Sequence, residues 1–140
     1  MKRKAIILGI KGYKLTVKEK KLFKKNKPWG LILFSRNIKN LSQLKKLVNE
    51  VKIVVNDKYY PVLIDQEGGR VTRLNNIFNF KLFSQNYFES IYINERKNFI
   101  KIYKMYIDKV SEILVAAGIN INTVPVLDVK RKNSDNIIGD

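Results

Sequence analysis

Three apolar runs in this sequence end directly in polar, chemically capable residues. Ser35-Arg36-Asn37 follows Gly-Leu-Ile-Leu-Phe (30–34). Asp65-Gln66-Glu67-Gly68-Gly69-Arg70 follows the run 60–64, with Arg73 three residues further on, and Asp128 stands near the end of the run 119–129. Carboxylates beside guanidiniums suit a polyhydroxylated ligand, because Asp accepts from two sugar hydroxyls while Arg donates a fork of N–H groups. Gly68-Gly69 permits a tight turn at positive φ or close approach of a ligand. Spacing alone fits a structural role equally well, with Asp65, Glu67, Arg70 and Arg73 forming an ion-pair cluster that braces a rim. A turn is the better reading of Arg36-Asn37 taken alone, and Asp128 alone fits either role.

What is missing narrows the chemistry. The 140 residues contain no cysteine and no histidine. A disulfide framework, a thiolate or imidazole metal site, a cysteine nucleophile and a His-based triad are excluded within them. Proton transfer is left to Asp, Glu, Lys, Tyr or hydroxyls.

Positioning such residues requires a scaffold, and the pattern supplies one. Residues 4–10 form a short continuous apolar run, read as a buried first strand. Thr16 and Glu19 have capping-box spacing and open a helix with Leu22 and Phe23 inward, ended by Asn26 and Pro28. Residues 30–34 read as a second buried strand. Asn40 caps a second helix whose Leu41, Leu44, Leu47, Val48 and Val51 recur at helical period, and Asn56-Asp57 turn the chain into a third strand, 60–64. A long Asn- and Phe-rich loop is expected over about 75–93. Asn94 then caps the longest helix, about 95–117, with the stripe Phe99, Tyr103, Tyr106, Val110, Ile113, Leu114 and Ala117. Gly118 suits its left-handed end, and residues 119–129 read as a fourth strand. Continuous rather than alternating apolar strands, joined by helices, predict a parallel sheet covered on both faces. No G-x-G-x-x-G follows the first strand, which counts against a dinucleotide site. A complete (β/α)8 barrel takes roughly 250 residues. The expected fold is therefore α/β, about four βα units, in one domain spanning 1–140, with ligand residues at the C-terminal strand ends.

Net charge is +16, and it is uneven: residues 1–58 carry 17 basic and 3 acidic side chains, residues 59–140 carry 11 and 9. A basic balance suggests polyanions, yet lysine outnumbers arginine 22 to 6 while Asn and Ile are also abundant. A/T-rich codon usage accounts for that combination, so nucleic acid is not the expected partner. The run after Lys4 is too short for a signal-peptide core and nothing approaches a membrane span. A cytoplasmic protein without membrane association is the expectation.

Five ordered segments carry a family resemblance: Gly-Leu-Ile-Leu-Phe-Ser-Arg-Asn-Ile (30–38), Val-Leu-Ile-Asp-Gln-Glu-Gly-Gly-Arg-Val-Thr-Arg-Leu (62–74), Gly-Ile-Asn-Ile-Asn (118–122), Pro-Val-Leu-Asp-Val (125–129) and Ile-Ile-Gly-Asp (137–140). From Ile10 to the last residue the sequence resembles the N-terminal part of the glycoside hydrolase family 3 β-N-acetylhexosaminidases. The resemblance implies half of a (β/α)8 TIM barrel. The implied activity is retaining removal of terminal β-linked N-acetylglucosamine from peptidoglycan-derived muropeptides, in the cytoplasm and without cofactor. It implies Asp65 and Arg73 as substrate-binding residues, with Arg36 and Asp128 at further rim positions. Glu67, Gly68, Gly69 and Arg70 would be the structural part of the motif. The family's next substrate arginine, its histidine acid/base loop and its aspartate nucleophile find no match here. A truncated or split enzyme that needs a separate C-terminal half is expected, with an open four-stranded sheet and Asp65 and Arg73 on one face. An inactive sugar-binding remnant and a basic polyanion-binding module are the alternatives.

Overall fold

The computed structural model describes residues 3–129 and 131–133; the segment Ile-Ile-Gly-Asp (137–140) lies outside them. Four parallel strands stand in chain order, β1 (Lys4–Leu8), β2 (Pro28–Leu33), β3 (Val62–Ile64) and β4 (Ile121–Asn122). The helices α1 (Val17–Asn26), α2 (Leu41–Val55), α3 (Gln85–Asn94) and α4 (Arg96–Ala117) lie in the connections. This is an arc of βα units, as expected for the N-terminal half of a (β/α)8 barrel.

The local signals act as their chemistry requires. Thr16 Oγ1 accepts from the Glu19 N–H at 3.2 Å and Glu19 returns the bond to the Thr16 N–H at 2.7 Å. Both caps satisfy donors the helix itself cannot. Asn40 does the same for α2, accepting from the Gln43 N–H at 2.8 Å. Leu44, Leu47, Val48, Val51 and Val55 of α2 are buried, and Asn56 and Gly118 end α2 and α4 at φ 54 and 81. Val110, Ile113, Leu114 and Ala117 of α4 close the core against β2 and β3, whose Leu31, Leu33, Val62 and Ile64 are fully buried.

Four expectations are corrected. β1 is not buried: Ile6 and Ile7 are 48% and 42% exposed, because among the described residues one edge of that strand has no neighbour. Leu22 points outward, leaving Phe23 as the buried residue of α1. The expected loop holds α3, capped by Ser84 Oγ accepting from the Tyr87 N–H at 3.1 Å, so Asn94 ends that helix and Glu95 precedes α4. The fourth strand keeps two of its eleven expected residues. Pro125 has no N–H to give a ladder, and among the described residues no strand lies on the outer side of β4 to pair with.

Candidate functional site

The C-terminal ends of the strands gather the polar residues on one rim. Asp65, the first residue after β3, accepts from Arg73 Nη2 at 3.1 Å through Oδ2 and from the Thr123 hydroxyl at 3.2 Å through Oδ1. Thr123 follows β4 and is held by its N–H donating to the Ile64 carbonyl at 3.0 Å. Both members of the Asp65–Arg73 pair keep about a quarter of their side-chain surface open. Arg73 Nε is buried and has no hydrogen-bond partner. The two sequence-predicted binding residues therefore meet on one face, with one guanidinium donor left over.

Arg73 is eight residues from Asp65, and something must fold the chain back. Gln66, 1% exposed, does so. Its Oε1 accepts from the Arg73 N–H at 2.8 Å and the Leu74 N–H at 3.1 Å, and its Nε2 donates to Thr72 Oγ1 at 2.9 Å. Asn122 of β4 holds the Gln66 main chain, accepting from its N–H at 3.1 Å and donating to its carbonyl at 3.3 Å. The turn itself needs glycine. Gly68 has φ +98 and a side chain there would collide with the Phe83 carbonyl; Gly69 has φ +59 and a Cβ would lie 2.7 Å from that of Ser84. The loop is thus pressed onto the start of α3.

The other predicted residues are placed as follows. Arg36 donates from Nε to the Ile10 carbonyl at 3.1 Å and covers the Phe34 ring at 4.5 Å; Arg73 lies 5.7 Å from the same ring. Phe34 thus brings both guanidiniums to one part of the rim. Asn37 serves the turn, donating to the Ile10 and Gly12 carbonyls. Arg70 is exposed. Asp128 is corrected: it lies six residues past β4 on an exposed segment rather than at a strand end, although its charge reaches Glu67. Desolvation, then the charge and hydrogen bond of Asp65, with Asp128 adding and Arg73 opposing, push the Glu67 carboxyl up to about 7. Burial pushes Tyr106 up to about 12, and its hydroxyl donates to the Glu67 carbonyl at 2.6 Å.

Gln66, Asn122, Thr123 and Tyr106 were not singled out for the site by sequence reasoning. Gln66 stood inside the quoted motif, but nothing in a run of polar letters marks which one is buried. Tyr106 was legible only as one ring of a helical stripe.

Beside the rim, a cavity of about 910 Å³ opens between α3, α4 and the segment after β4. Phe88, Tyr103, Tyr106 and Val110 line its helical side, Val124 and Val126 the other. Among the described residues no group of three His, Asp or Glu is placed to hold a metal, and no helix is long and apolar enough to cross a membrane.

With this geometry in hand, comparison with known proteins is specific. Residues 2–140 match the model of the glycosyl hydrolase family 3 N-terminal domain. A β-hexosaminidase of Haemophilus influenzae is 30% identical over 125 residues, 89% of this chain and 34% of that protein. The native NagZ structure from Neisseria gonorrhoeae superposes with a TM-score of 0.76 at 28% identity, covering 91% of this chain and 37% of its own. The same protein in complex with N-trifluoroacetyl-D-glucosamine gives a TM-score of 0.68 at 28% identity, over 91% of this chain and 38% of that one. The chain thus spans just over a third of the length of these relatives.

Proposed function

The chain belongs to glycosyl hydrolase family 3, and from that premise we propose that its rim grips the terminal N-acetylglucosamine of a β-linked saccharide. It would do so as part of a retaining β-N-acetylhexosaminidase that acts on muropeptide fragments in the cytoplasm. One observation carries the reading: Asp65 and Arg73 paired at 3.1 Å where parallel strands end. Ligands of parallel α/β folds bind at that end of the sheet. Asp65 accepts sugar hydroxyls there, and the partly exposed side chain of Arg73 supplies a guanidinium to a ligand oxygen. A glucosamine amide bound to the Neisseria relative is in keeping with that ligand class. Arg36 and Asp128 are assigned the flank of the same sugar.

Retaining hydrolysis takes a nucleophile and an acid/base some 5–5.5 Å apart across the scissile bond. The histidine that the family resemblance implies for proton transfer is not among these residues, which hold none. In this reading the 140 residues bind, and a polypeptide completing the barrel supplies cleavage. That polypeptide docks at the β4 side, where Leu127 and Val129 are 85% and 73% exposed beside the apolar cavity. The test is hydrolysis of a chromogenic β-N-acetylglucosaminide. The 140 residues alone should give no turnover above background, and joining them to the remaining barrel of a relative should restore it. Asp65→Ala in the restored enzyme should lower kcat/KM roughly 10- to 150-fold for each charged hydrogen bond lost. Turnover by the 140 residues alone, abolished by Asp65→Ala, would place the catalytic groups within them and overturn this division of labour.

A further inference from the structure

The other end of the sheet carries a feature that the sugar-binding reading leaves unused. Between α2 and the C-terminal turn of α4 lies a cleft of about 500 Å³. Asn120, two residues beyond Gly118 of that turn, accepts from the N–H of Val62, the first residue of β3. The cleft is therefore at the N-terminal ends of the strands, away from Asp65. Ser42, Lys45, Lys46, Asn49 and Lys52 of α2 line one wall, and their spacing puts them on a single helix face. Residues 115–118 form the facing wall, with aliphatic side chains and main chain only, and among the described residues no carboxylate lines the cleft. Lys52 is fixed: its Nζ donates to the Gly118 carbonyl at 2.8 Å, and glycine leaves it room, since a Cβ there would lie 3.4 Å from that Nζ. An ammonium has three donors, so two remain for a ligand. Capping the negative end of α4 accounts for Lys52. It does not account for Lys45 and Lys46, which are exposed and, among the described residues, in no ion pair.

Codon usage acts on both halves of the sequence, yet residues 1–58 hold 15 lysines and residues 59–140 hold 7. The three acids of 1–58 are engaged away from the cleft. Glu19 caps α1, Asp57 pairs with Arg3, and Glu50, the one acid of α2, pairs with Lys20 at 2.6 Å. We propose that the α2–α4 cleft is a binding site for a small, multiply charged anion of the phosphate type. From Lys45 to Lys52 the helix rises about 10 Å, so the ammoniums suit an anion whose charge is strung along a short chain. Lysine meets phosphoryl oxygens as a point charge, whereas a planar carboxylate is matched by the arginine fork, and no arginine lines the cleft. Its volume is that of a small-molecule site, roughly 300–1,000 Å³. Val48 and Ala117, both buried, keep water from beneath the charges, which strengthens their attraction for an anion. Both helices belong to the strands already present, so the site does not depend on the sugar-binding reading or on completion of the barrel.

Tripolyphosphate titrated into the whole chain and followed by amide NMR tests this. The Ser42, Asn49 and Gly118 signals should shift together and saturate, while those of Asp65 and Arg73 stay in place. K45Q/K46Q should weaken binding at least about tenfold, the effect of losing one hydrogen bond to a charged group. K18Q/K25Q removes the same charge from exposed positions of α1, which packs on α2 as α4 does but does not line the cleft. That pair should leave the affinity within about twofold, because separated exposed charges are screened. Ala116→Trp fills the cleft from an exposed position without changing the charge, and it should abolish binding. Equal losses in the two lysine pairs, shifts that never saturate, or full binding by A116W would overturn the site in favour of a diffuse basic surface. If A116W does not fold, the two lysine pairs decide alone. An oligothymidylate that shifts the same amides while tripolyphosphate does not would overturn the small-anion assignment and make this face a nucleic-acid contact.

Discussion

Val-Leu-Ile-Asp (62–65) and Pro-Val-Leu-Asp (125–128) are nearly the same peptide, yet they live in different worlds. Val62, Leu63 and Ile64 are 0%, 6% and 0% exposed, and Asp65 behind them is fixed by Arg73 and Thr123. Leu127 is 85% exposed and Asp128 stands on an open segment. The first peptide has β2 on one side, β4 on the other, and α2 and α4 in the core above it. The second lies past β4, and among the described residues no strand pairs with it. A strand in a parallel sheet is completed by what lies on both of its edges, and the backbone fixes the aspartate that follows it only where that completion has occurred.

The sharpest way to break the comparison is to truncate equivalent aliphatics. Ile64→Ala should cost about 2–5 kcal/mol, the range for a filled core position that collapses poorly. Leu127→Ala should stay within about 0.5 kcal/mol, as for a surface change. Urea unfolding of the two variants measures the difference. Equal losses would mean that the 125–128 segment is already packed in solution. The contrast should shrink when the rest of a family barrel is joined to the chain, because Leu127 then has surroundings to lose.

A smaller effect tests why the first peptide delivers a usable aspartate. Gln66→Leu keeps the volume but removes the acceptor of the Arg73 and Leu74 N–H groups. Leaving a buried donor unpaired costs about 1–3 kcal/mol, and the loss here should accompany faster hydrogen exchange at the Arg73 and Leu74 amides. No change in those amides would remove Gln66 as the residue that folds Arg73 back to Asp65.

The same contrast explains what could be read from the letters. Asp65 and Arg73 were legible as a pair because a specific motif encloses them, and α1 and α2 because their caps and periods are local. β1 and the fourth strand were misjudged. Their mostly apolar letters, Ala-Ile-Ile-Leu (5–8) and Val-Leu-Asp-Val (126–129), report the burial that a closed barrel would give, not what the four described strands provide. α3 was missed for a related reason. Only Phe88 of that helix is buried, and its aromatic contacts with Tyr103 and Tyr106 come from α4, across a distance that no local period reveals.

The smallest expected effect is the one that should not depend on completion at all. Thr16 and Glu19 cap α1 through bonds confined to four residues. Val17 and Leu22 remain exposed, and Phe23 supplies the helix's buried contact. Losing a threonine N-cap typically costs about 1 kcal/mol, because the Glu19 N–H then has no protein acceptor. Thr16→Ala should therefore lower stability by about that amount in the 140 residues. The amount should be the same after the remaining barrel strands are joined, since nothing at the β4 edge touches the cap. Leu127→Ala should change between the two contexts, and Thr16→Ala should not. If the cap mutation also grows costlier on completion, α1 is coupled to the far edge of the sheet, and the division between locally determined and closure-dependent structure drawn from these two peptides fails.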